Sequence, residues 1–178
     1  MKLAEEKVQG ERIFDGAIVR LEVDQVRLPN GENARREVVY HPGGVAVLAL
    51  DGQKMVTLVR QFRYPIGQEL LELPAGKLDP GEEHALAAAR ELSEETGLEA
   101  EEWTYLGHML VSPGFCDEQV HMYLARKLKR CERHLDEDEF LNVETMSFDT
   151  LLEQVMDGTI TDAKTVAATL KTKILLGL

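Results

Sequence analysis

The sequence predicts an α+β domain of layered α/β/α type, on three observations. Strand-like segments of alternating or continuous apolar character fill most of residues 13–126. One helical period interrupts them at residues 82–97, and two more helical stretches close the chain. Strands broken by one helix and followed by others pack as a sheet with helices against its faces. At 178 residues the chain suits one domain with a substantial core.

The strands come first. Ile13 to Leu28 is rich in β-branched and alternating apolar residues, and Pro29-Asn30-Gly31 is a turn signal before Arg36-Glu37-Val38-Val39-Tyr40. Val45 to Leu50 and Met55 to Val59 flank a turn at Asp51-Gly52, and both runs are apolar enough to be central in a sheet. Leu70 to Leu73 reads as a shorter strand stopped by Pro74. Trp103 to Val111 and Gln119 to Arg126 are two more, separated by Ser112-Pro113-Gly114. An acidic stretch, Leu135 to Glu144, precedes helices at Phe148 to Met156 and Asp162 to Leu178.

The first helix carries the chemistry. Ala85, Ala88, Ala89 and Leu92 recur at helical spacing, with a capped, proline-containing start expected at Asp79-Pro80-Gly81-Glu82 and a stop at Gly97. Glu91, Glu94 and Glu95 lie three or four residues apart, so they face one another. Such like-charge pairs cost a helix roughly 0.2–0.5 kcal/mol each, and the C-terminal dipole adds about 0.3–1 kcal/mol per exposed anion. Arg90 can relieve Glu94 but cannot neutralise three carboxylates. At 100° per residue, Glu91 and Glu95 sit about 40° apart beside the apolar stripe, where Ala87 and Ala88 are expected to leave room over them. Crowded carboxylates at the edge of a core ask for a cation. An all-oxygen set suits Mg2+, with Mn2+ as a substitute, and the absence of imidazole and thiolate from the cluster argues against zinc.

Composition narrows the partners. A formal net charge of −12 opposes binding to a nucleic-acid backbone. A phosphate compound remains accessible where metal ions and local arginines reverse the field. No apolar run is long enough to span a bilayer, and the start, Met1-Lys2-Leu3-Ala4-Glu5-Glu6, lacks a signal-peptide pattern, so the cytoplasm is the expected location. Cys116 and Cys131 are too isolated to seed a disulfide framework or a zinc site.

Residues 76–98 resemble the signature of the Nudix hydrolases, G-x5-E-x7-R-E-U-x-E-E-x-G-U, where U is a bulky aliphatic residue. The matching residues are Gly76, Glu82, Arg90, Glu91, Leu92, Glu94, Glu95, Gly97 and Leu98, with no departure. A chance match in a chain of this length is on the order of one in ten million. The resemblance implies a Nudix-type sandwich with a mixed central sheet and a loop–helix–loop metal site. It implies metal ligation by Glu91 and Glu95, helped by Glu94 and the carbonyl of Ala75, with Glu82 and Arg90 tying loop to helix.

A wider similarity points to the ADP-ribose pyrophosphatase branch. It rests on Gln61-Phe62-Arg63, Leu73-Pro74-Ala75-Gly76, Ser112-Pro113-Gly114-Phe115, and Pro113 lying 15 positions beyond Leu98. The acidic run Leu135-Asp136-Glu137-Asp138-Glu139-Phe140 resembles the branch's loop that supplies a general base. Glu139 or Glu137 is therefore the expected base, the other completing a metal shell, with Glu118 a rival better suited to a sugar hydroxyl. Arg63 and then Arg60 are the expected substrate contacts. Phe14, Ile18 and Phe115 are candidates for an adenine clamp. Members of the branch form homodimers that exchange N-terminal strands, so residues 1–42 are expected to dimerise and residues 43–178 to form the hydrolase domain, as one structural unit.

The expected activity is Mg2+-dependent hydrolysis of ADP-ribose to AMP and ribose 5-phosphate. Alternatives are cleavage of another nucleotide sugar, NADH or a dinucleoside polyphosphate at the same site, or a non-catalytic nucleotide sensor. The intact box and the lack of spare length for a DNA-binding module oppose the sensor.

Overall fold

Alternation explains the first strands, which the computed structural model places at β1 (Glu6–Asp15), β2 (Arg20–Arg27) and β3 (Asn33–Tyr40). The structure describes residues 3–135 and 139–178. β1, β2 and β3 form a three-stranded antiparallel sheet in that order. The stretch expected as a strand from Ile13 is thus a hairpin, turning where the Gly16 N–H donates to the Val19 carbonyl at 3.0 Å. Pro29-Asn30-Gly31 forms the expected turn, with Gly31 at φ +87°. Residues up to 43 and residues 110–119 make one compact unit, and residues 44–109 and 120–178 a second.

The second unit holds β4 (Gly44–Leu50), β5 (Met55–Arg63), β6 (Gln68–Glu72), β7 (Ala75–Lys77), α1 (His84–Thr96), β8 (Leu98–Leu110), β9 (Gln119–Arg130), β10 (Leu141–Ser147), α2 (Phe148–Met156) and α3 (Ala163–Leu176), save that Leu110, the last residue of β8, and Gln119, the first of β9, are counted with the first unit. Its sheet has the order β10-β5-β4-β9-β8, with β6 paired to β5 and β7 to β4. It is mixed: β4 runs parallel to β9 and antiparallel to β5 and β7.

β4 is buried at every residue because helices cover both of its faces. Val45, Val47 and Ala49 point to one side and pack with Ala87, Ala88, Leu92 and Tyr123. Leu48 and Leu50 point to the other and pack with Met122, Leu124, Phe148, Leu151 and Ala168. This is the layered α/β/α arrangement expected from the sequence. Each fully buried leucine or phenylalanine contributes about 1.5–3 kcal/mol. Ala87 and Ala88 do not leave space over the glutamates; both are wholly buried. Their small side chains let α1 approach β4 closely instead.

Two details differ from the sequence expectations. The acidic stretch ends in strand β10, whose register sets Leu141 opposite Gln61 and Ser147 opposite Met55. Most of its residues are exposed or only half-buried and several are polar, which hid it. The start of α1 has no side-chain cap, whereas Ser147 caps α2 and Asp162 caps α3. Asp79 to Glu82 is a turn, and the Glu82 carboxylate accepts the Asp79 N–H at 3.0 Å while reaching forward to the helix. Among the described residues no helix is long and apolar enough to cross a membrane.

Candidate active site

The site grows from a short strand held against a helix end. β7 pairs with β4, setting Ala75 opposite Ala46 and Gly76 opposite Val45. Gly76 is required there by close approach: a Cβ would lie 2.0 Å from the Glu91 carboxyl group. α1 stops at Gly97, whose φ of +67° lets its N–H turn back to the Ser93 carbonyl at 2.9 Å.

Arg90 is the local organiser. Its Nε and Nη2 donate to the two Glu82 oxygens at 2.9 and 3.0 Å, tying loop to helix. Its Nη1 donates to Glu91 at 2.8 Å and Glu94 at 2.9 Å, and Nη2 also reaches the Lys77 carbonyl at 3.2 Å. The Arg90 fork, helped by the Asp79 N–H, holds the Glu82 carboxyl below its ordinary range.

Among the described residues no cation hydrogen-bonds to Glu95. It is 1% exposed and accepts the Ala75 N–H at 2.9 Å. Burial, reinforced by Glu139 and Glu91, pushes the Glu95 carboxyl up to about 9 against the opposing Ala75 N–H. Burial also raises Glu91, with Arg90 opposing and Glu94 and Glu139 adding.

The donor set fits a hard divalent cation. Glu91, Glu94, Glu95 and Glu139 supply oxygens only, and they concentrate more negative charge than Arg90 balances. Among the described residues, however, no three acidic, imidazole or thiolate groups stand in coordinating geometry. Arg90 occupies Glu91 and Glu94, so a cation entering here competes with the Arg90 guanidinium.

The other expected residues are distributed differently. Arg63 spends Nε and Nη2 on Glu72 at 2.9 and 2.7 Å. Arg60 pairs with Glu144 at 2.5 and 3.2 Å and lines a cavity of about 340 Å³ with Glu69, Leu71, Met146 and Asp162. Glu118 belongs to the other unit and lies 3.6 Å from His41 Nδ1. That nitrogen also accepts the Gly43 N–H at 3.1 Å. Phe14, Ile18 and Phe115 are roughly half exposed. Glu137 lies outside the described residues. Sequence reasoning passed over Glu72 and Lys164, although a lone glutamate in the apolar run Leu70 to Leu73 was a signal for a buried charge.

With fold and site in view, the chain belongs to the Nudix domain family, whose pattern matches residues 40–168. It is 46% identical over 171 residues to the ADP-ribose pyrophosphatase of Bacillus subtilis (strain 168), covering 94% of this chain and 92% of that one. It is 45% identical over 170 residues to the methanol dehydrogenase activator of Bacillus methanolicus, again covering 94% and 92%. The crystal structure of an ADP compounds hydrolase shares the fold, with a TM-score of 0.86 over 99% of this chain and 97% of that chain at 22% identity.

Proposed function

We propose that the chain hydrolyses the pyrophosphate bond of ADP-ribose to AMP and ribose 5-phosphate. Water adds across the P–O–P bond, its oxygen to one phosphorus and a proton to the departing phosphate. The observation that carries this reading is the similarity to the Bacillus subtilis ADP-ribose pyrophosphatase over nearly the whole of both chains.

Glu91, Glu94, Glu95, Glu139 and the carbonyl of Ala75 are the residues that would hold Mg2+, or Mn2+ in its place. When bound, such an ion neutralises diphosphate charge and lowers the pKa of a bound water. Glu139 accepts the proton of the attacking water, a role supported by its contact with Glu95. Glu137 is the other candidate for this step. Arg63 binds phosphate oxygens through the donors that Glu72 leaves free, and Arg60 is a second cation for the same charge. The protein acts in the cytoplasm as a homodimer formed through its N-terminal strands. The dimer is supported by β1, exposed at all ten residues and carrying Val8, Ile13 and Phe14.

The test is a panel of ADP-ribose, GDP-mannose, NADH and a dinucleoside polyphosphate with Mg2+, products separated by chromatography. ADP-ribose is expected to turn over fastest; a rate no higher than the others overturns the substrate assignment. The similarity to the Bacillus methanolicus protein favours a second reading, activation of an alcohol dehydrogenase. Adding the chain to methanol dehydrogenase and measuring alcohol oxidation tests it, and an unchanged rate rejects it.

A further inference from the structure

One buried carboxylate of this unit has no part in the chemistry described above. Glu72 is 1% exposed, yet two cations converge on it. Arg63 grips it from β5 with Nε and Nη2, and the Lys164 ammonium donates to it from α3. Lys164 is held in turn by Asp162 at 2.8 Å, the residue that caps α3. Burial pushes the Glu72 carboxyl up, but Arg63 and Lys164 outweigh it and the net direction is down. Two cations and two carboxylates thus form a neutral chain from α3 through β6 to β5.

The arrangement is asymmetric. Glu72 and Lys164 are enclosed, whereas the Arg63 side chain is 39% exposed, and its charge is felt by Glu95. A guanidinium has five N–H donors, so after two bonds to Glu72 three remain on its outer edge. A free arginine loses about 2 kcal/mol of rotamer freedom when fixed, and a pre-fixed one does not lose it again on binding. Lys164 also compensates Glu72 while the outer edge of Arg63 shares its charge with a phosphate.

We propose that Glu72 and Lys164 are positioning residues that present the outer edge of Arg63 to the diphosphate of the substrate. The proposal rests on the function proposed above, in which Arg63 contacts phosphate. It differs from a plain core ion pair in a measurable way, because it places the benefit in substrate affinity.

The test uses the full chain with Lys164→Met, Lys164→Arg and Glu72→Gln. Lys164→Met keeps the volume of the buried stem and serves if Glu72→Gln fails to fold. Lys164→Met is expected to raise KM for ADP-ribose about tenfold with kcat changed less than about threefold, the pattern of lost uniform binding. Calorimetric Kd for ADP-ribose in a Glu95→Gln background should rise by the same factor, and Lys164→Arg should recover most of the loss. The ¹⁵N-detected Nε–Hε signal of Arg63 should lose its exchange protection in Lys164→Met. A lowered melting temperature with KM and Kd unchanged overturns the proposal. A wild-type chain that neither binds nor cleaves ADP-ribose sinks the function reading instead. In that case the Arg63 signal decides: loss of protection in Lys164→Met supports positioning, and unchanged protection overturns it.

Discussion

The main-chain N–H of Ala75 donates to Oε2 of Glu95 across 2.9 Å, joining the first residue of β7 to the last turn of α1. This bond fixes a buried carboxylate beside the glycine that makes room for Glu91, so the two glutamates are set by backbone as well as by side chains.

Replacing Glu95 by Gln keeps an oxygen for the Ala75 N–H and removes the charge. The fold should survive, with a circular dichroism spectrum like that of the wild type. Turnover of ADP-ribose should fall by roughly a thousandfold, the scale of losing one preorganised electrostatic group. A near-normal rate would remove Glu95 from the proposed metal shell.

Gly76→Ala should act on Glu91 without replacing any acidic residue. The new Cβ would stand 2.0 Å from the Glu91 carboxyl group, which must move. Overpacking costs about 1–3 kcal/mol, and displacement of a ligand by about 1 Å can cost about a hundredfold in rate. Chemical denaturation and steady-state kinetics read the two effects separately.

Stability of the chelated protein should fall as pH rises from about 4.5 to about 9, the interval over which folded Glu95 holds a proton that the unfolded chain releases. In that interval the native state binds more protons, so the slope of unfolding free energy with pH is negative. The raised Glu91 carboxyl works in the same direction. Glu72 and Glu82, both lowered, act oppositely and only below about 4.5, where their contribution is lost as pH falls. Melting temperatures across pH 5 to 9 should decline with EDTA and flatten with Mg2+, and Glu95→Gln should remove most of the decline.

Loss of Arg90 should be structural before it is chemical. Arg90→Met leaves Glu82 without its fork and removes the cation paired with Glu91 and Glu94. Partial exposure screens these pairs, which holds the expected destabilisation to about 2 kcal/mol by urea titration. Arg90→Lys should recover little of it, since an ammonium cannot bridge two oxygens of Glu82 while serving two other carboxylates.

The N-terminal strands offer a separate check. Phe14 is 55% exposed on a strand whose every residue is exposed. Phe14→Asp should shift light-scattering mass from twice the chain to once the chain. An unchanged dimer would exclude this surface from the contact, and a monomeric wild type would reject the homodimer.

The glutamate cluster was legible because its information is local. Glu91, Glu94 and Glu95 are spaced for one helix, and the periodicity of Ala88 and Leu92 beside them already placed two of the three at the edge of a core. The central strands were legible for a similar reason: β4 is apolar at every position because both of its faces are covered. β10 was not, because its Asn142, Glu144 and Thr145 look like the loop that precedes them until β5 is set alongside.

From residue order alone came the helix and its carboxylates, set by neighbours three or four positions apart, and the turn glycines and layered α/β/α class, set by local turn residues and the order of strands and helices. Only the tertiary structure decided that Arg63 is held by Glu72, nine residues away, and Glu72 by Lys164, ninety-two residues further on. It also decided that Ala87 and Ala88 close the core instead of opening the site. The reason is physical: periodicity reports which face of an element is apolar, whereas a buried charge is stable only if a distant partner arrives, and that partner is chosen by packing.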